Sequence, residues 1–180
     1  ALCRWSDHVD LGDRQGSGMK KPRKKYRPKP MLQDPLSFVL SGMKPVKNMP
    51  GVYLDVQIKN RQALEQVRLG LATKEDIDML IGAFNITEAL AIMGKGRDWL
   101  DEINQGQTAL LELARRGVAN NMRFIMTAKQ WELLKLVMDL HEEQLAQATV
   151  YDIERAYDYV HKVLRLGKAT AIIETRKEKE

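Results

Sequence analysis

Apolar side chains recur every three to four positions through most of this chain, the spacing of helices with one buried face. Asp34 followed by Pro35 reads as a helix start. Leu36, Val39 and Leu40, with Phe38, give that first helix a short apolar face, and Gly42 ends it. The stretch 44–51, with Pro45 and Pro50, reads as a linker. A second helix is predicted from Val52 to Leu69, with Val56, Ala63, Leu64, Val67 and Leu71 near helical spacing and Gly70 at its end. Thr73 and Asp76 have capping-box spacing for a third helix, whose stripe is Ile77, Leu80, Ile81, Phe84, Leu90 and Met93.

A fourth helix is expected over residues 97–116, with Trp99, Ile103, Leu110, Leu111 and Ala114 inward and Gly117 after it. Thr127 caps a fifth over 128–148, on which Trp131, Leu134, Val137, Met138, His141 and Leu145 share a stripe. Thr149 and Asp152 repeat the box for a sixth, built on Ile153, Tyr157, Val160 and Leu164 and ending at Gly167. Residues 123–126 look extended, and Phe124-Ile125 are expected to pair with Ala171-Ile172-Ile173 as a two-stranded ribbon. The fold class read from this pattern is all-α, a bundle of five or six helices over 32–168 with a tail over 169–180.

Charge changes the picture at one end. The run MKKPRKKYRPKP, residues 19–30, holds Lys20, Lys21, Arg23, Lys24, Lys25, Arg27 and Lys29 and no acid. Residues 1–18 and residues 31–180 each carry a net −1, so the chain's net +5 belongs to this short segment. Pro22, Pro28 and Pro30 oppose a helix and the like charges repel, so residues 19–31 are expected to be a disordered, extended arm. Residues 1–18 lack periodicity and end in Gly-Ser-Gly before Met19. They read as a leader or an added extension, with the native start at Met19.

A run of Lys and Arg binds phosphates by releasing counterions and needs no fixed geometry. Lys20, Lys21, Arg23, Lys24, Lys25, Arg27 and Lys29 are therefore the expected nucleic-acid contacts, with Tyr26 placed to stack on a base. Helix six adds Arg155, Lys162 and Arg165 as secondary contacts. Helices five and six have the order of a helix-turn-helix, but Asp152, Glu154 and Asp158 share helix six with its basic residues. A plain antiparallel hairpin is the simpler reading.

The chemistry of enzymes finds no support in the spacing. His141-Glu142-Glu143 opens like a zinc-protease helix, but Leu145 stands where the second His belongs. Neither His141 nor His161 follows a Glu by three residues, as a di-iron bundle requires. His141 reads as a core or interface histidine. Gly94-Lys95-Gly96 is too short for a phosphate loop. No catalytic residue, metal or cofactor is expected. A single cysteine, Cys3, excludes a disulfide framework, and no apolar run reaches the length of a membrane span. A reducing cytoplasm is the expected setting.

The segments KYRPKP, LQDPLSFVLSGMKPV, IKNRQALEQVRLGLATKEDIDMLIGAFNITEAL, VMDLHEEQL and RLGKAT resemble a group of small proteins encoded by phages and prophages of proteobacteria, commonly labelled Fis-family transcriptional regulators. The resemblance spans Lys20 to Thr170. It implies a mobile-element origin and a DNA-binding role. The reading that follows is a phage or prophage accessory protein that binds DNA or RNA through its arm, with a homodimer as a natural assembly. Its alternatives are a module that inhibits or adapts a host protein, and a virion or packaging component.

Overall fold

A threonine starts three of the six helices, each with its side chain and an acid or amide three residues on exchanging bonds with the backbone. The computed structural model describes residues 3–4, 35–167 and 170–171. Its helices are α1 (Pro35–Gly42), α2 (Pro50–Leu69), α3 (Lys74–Ile92), α4 (Leu100–Ala119), α5 (Ala128–Gln147) and α6 (Val150–Arg165). Thr73 with Asp76, Thr127 with Gln130 and Thr149 with Asp152 close the capping boxes of α3, α5 and α6. Each box satisfies donors that a helix start otherwise leaves to water, a gain of about 1 kcal/mol. Short 3-10 turns at Val46–Asn48 and Arg97–Trp99 precede α2 and α4. The all-α bundle expected from the sequence is the fold observed.

Helix α3 is the axis, with α2, α4, α5 and α6 all packed on it. Apolar residues on nearly every side explain this place, since such a helix cannot face water. Ile77, Leu80 and Phe84 join Leu64, Val67, Leu110, Leu113, Leu134 and Met138 in the main core. Farther along α3, Ile86, Ala89 and Leu90 form a second cluster with Ala156 and Val160 of α6.

The link between α4 and α5 departs from the expected ribbon. Asn121 and Met122 take positive φ, 54° and 63°, and swing Phe124 inward, where it is fully buried. Arg116 holds the loop by donating to the Ile125 carbonyl (2.6 Å) and to Gln130 Oε1 (2.8 Å). Burying an aromatic ring outweighs pairing two residues of strand. Ala171 instead pairs with Arg4, in a parallel two-residue ladder of Cys3–Arg4 with Thr170–Ala171.

Several side chains expected inside lie outside. Trp99 is exposed because the 3-10 turn delays α4 to Leu100 and shifts the helical phase. Leu71 follows Gly70, whose φ of 71° turns the chain off the axis of α2. Leu36, Val39 and Leu40 are exposed because α1 has only eight residues and meets the bundle through its C-terminal end, with Gly42 beside Tyr151. Val56 and Tyr157 are exposed at the rim of a cavity between α2, α3, α5 and α6.

Candidate functional site

The expected arm contacts, from Lys20 to Lys29, lie outside the described residues, as do residues 5–18. The secondary contacts can be placed. Arg155, Lys162 and Arg165 are all exposed on α6, and helical spacing puts them along one side. Arg155 lies over the ring of Tyr151 at 5.7 Å, and the rings of Tyr157 and His161 stack at 6.3 Å. Glu154 and Asp158 are exposed on the same helix, and Asp158 falls on the basic side, four residues before Lys162. Two residues separate α5 from α6, yet α6 lies along α3 while α5 packs chiefly on α4 and α3. The two helices are therefore not the self-packed hairpin that the short connection suggests.

A cavity of about 470 Å³ opens between α2, α3, α5 and α6. Its walls are largely apolar, with Val52 and Val56 from α2, Met79 and Ile86 from α3, Leu145 from α5 and Ile153 from α6. Two buried polar side chains reach it. Asn60 is 6% exposed and His141 is 3% exposed. Asn60 enters because it falls four residues before Leu64 on the inward stripe of α2. His141 occupies the corresponding stripe of α5.

The histidine is fixed by a two-step chain. Thr87 Oγ1 donates to the Ala83 carbonyl one turn back, at 2.9 Å, and stands 2.9 Å from His141 Nδ1. A hydroxyl has one proton to give. With that proton on Ala83, the ring donates through Nδ1–H, which assigns the tautomer and leaves Nε2 as an acceptor. Burial away from water pushes the imidazole pKa down to about 4, so the ring is neutral at ordinary pH. Asn60 makes no side-chain hydrogen bond among the described residues.

Nearby, Gln144 ties α5 to the end of α3 by donating to the carbonyls of Thr87 (3.2 Å) and Lys95 (2.7 Å). On the outer side of α5, Arg61 of α2 grips Glu142 through two bonds and Asp139 through a third. These ties hold α2, α3 and α5 in register around the cavity. Among the described residues, no helix is long and apolar enough to cross a membrane.

Sequence reasoning placed His141 in the core and passed over Asn60, Thr87 and Gly82. Two of these carried a signal, an amide on an apolar stripe and a glycine inside an otherwise strong helix. No family model, curated protein or solved structure matches the chain.

Proposed function

We propose that this chain is a non-enzymatic nucleic-acid-binding accessory protein of a phage or prophage, whose arm grips phosphates while the helical body supplies a partner surface. One observation carries the reading, seven cations without an acid within residues 19–30 on a body of net −1. Such a block attracts a polyanion at any sequence, and specificity falls to other contacts. The exposed Arg155, Lys162 and Arg165 support it as a smaller basic strip, interrupted by Asp158. The resemblance to the phage proteins labelled as regulators supports DNA as the polyanion and the cytoplasm as the setting.

The test is a salt titration of binding to duplex DNA and to single-stranded RNA, comparing the full chain with one starting at Met31. The full chain is expected to bind with a steep salt dependence that the shortened chain lacks. Equal binding by the two, or none by either, overturns the proposal.

A second reading has its own observation. Leu36, Val39 and Leu40 on α1 and Val52, Leu54 and Ile58 on α2 are all more than half exposed. Exposed apolar side chains on two elements suit a protein partner, a host protein to be inhibited or adapted, a second copy in a homodimer, or a neighbour in a virion. Capture of one protein after nuclease treatment, unaffected by removal of the arm, would favour this reading.

A further inference from the structure

We infer that the cavity between α2, α3, α5 and α6 binds a small, uncharged, mostly apolar molecule that carries an N–H or O–H donor. Its volume, about 470 Å³, falls within the range of small-molecule sites, roughly 300–1000 Å³.

The chemistry of the ligand follows from the walls. Apolar side chains dominate, so the body of the molecule is apolar. No carboxylate lines the cavity, and its one charged residue, Lys59, is exposed, so nothing in the wall would compensate a buried cation. His141 Nε2 is left as an acceptor once Nδ1 is committed to Thr87. Asn60 adds an amide that can accept and donate. A molecule bearing a donor satisfies the histidine. A pure hydrocarbon would displace its water and return nothing. Both polar side chains are more than nine-tenths buried, which favours a compact ligand over a helix laid across the rim.

Gly82 is a second feature of the cavity wall. A glycine inside a helix costs stability relative to alanine. Two other helical glycines have a packing reason: a β-carbon would stand 2.4 Å from Val137 at Gly106 and 2.2 Å from Phe124 at Gly117. At Gly82, which lines the cavity, a β-carbon would meet nothing within 4 Å. Packing does not require this exposed glycine, and its place in the cavity lining makes it the position where an added side chain tests the space.

The experiment uses the full chain and three probes, indole, phenol and cyclohexanol, with 1-methylindole as the donor-free control. Titrations are followed by calorimetry and by the ¹⁵N resonances of the His141 ring. At least one probe is expected to bind saturably and to shift Nε2. 1-Methylindole is expected to bind at least tenfold more weakly than indole. Gly82→Leu should abolish binding while leaving the helical circular dichroism and melting temperature at or above those of the parent. Asn60→Leu should weaken binding at least threefold. Three results would overturn the inference: no saturable binding by any of the three probes, equal binding of indole and 1-methylindole, or undiminished binding by folded Gly82→Leu. A ring signal that moves with protein concentration alone would also overturn it, by showing that a second copy fills the space.

Discussion

Phe124 presses on the backbone of α4 at Gly117, its Cδ1 only 2.2 Å from where a β-carbon would stand. The ring is fully buried, and the loop that delivers it is tied down by Arg116. Gly117→Ala must therefore move the ring or the loop. We expect a loss of about 1–3 kcal/mol, the usual cost of overpacking, even though alanine is the better helix former. Gly82→Ala is the matched control, with open space and a gain of roughly 0.5–1 kcal/mol. Thermal unfolding of the two variants should move in opposite directions. A shared direction would contradict the packing described.

Acid should weaken the fold through His141. Its pKa in the folded chain is held down to about 4 by burial, below an unfolded value of about 6.5. Between those values the unfolded chain binds the extra proton, so the neutral ring's contribution is complete above pH 6.5 and is lost as pH falls toward 4. The full difference amounts to about 3 kcal/mol. Denaturant titrations at pH 7 and pH 4.5, on the parent and on His141→Gln, should show the parent losing more. An equal loss in the two proteins would remove His141 as the cause.

Arg61 joins α2 to α5 through Asp139 and Glu142 while remaining 40% exposed. Solvent screens such a site, so its worth is modest. Arg61→Ala is expected to cost about 1 kcal/mol at low salt, and most of that difference should vanish in 1 M salt. Arg61→Lys cannot reproduce the forked grip and should recover only part. A cost unchanged by salt would show that the packing of the arginine stem, and not its charge, joins the helices.

The basic residues of α6 can be separated from the arm by salt slopes. On duplex DNA each neutralised phosphate contributes about −0.9 to the slope of log K against log salt. Replacing Arg155, Lys162 and Arg165 together by Gln should make the slope shallower by up to about 3 if all three touch phosphate. An unchanged slope would keep α6 off the nucleic acid and leave the arm to act alone.

What the sequence discloses depends on how local the cause is. The box starts of α3 and α6 were readable because Thr73 and Thr149 meet partners only three residues away. The stripe of α3 was readable because nearly every side of it is buried. Trp99 and Leu71 were misplaced because a 3-10 turn and a left-handed glycine shift the phase over a single residue. Phe124 was misread for a different reason, since its destination is a missing β-carbon seven residues earlier, on another element. The cavity lay furthest from view. Four helices enclose it, and its cues, Asn60 and Gly82, each resemble a minor flaw until the packing brings them together.

The chain just after α1 is fastened to the junction of α5 and α6. Val46 N–H donates to the Ala148 carbonyl at 2.9 Å, and Val150 N–H donates to the Lys44 carbonyl at 3.0 Å, a bridge centred on Pro45 and Thr149. This pair acts as a mechanical clasp. Tension entering at residue 35 passes along α1, which touches α6 at its C-terminal end, and arrives at two hydrogen bonds beside the start of α6. Force applied at residue 35 would thus be shared with the threonine that begins α6.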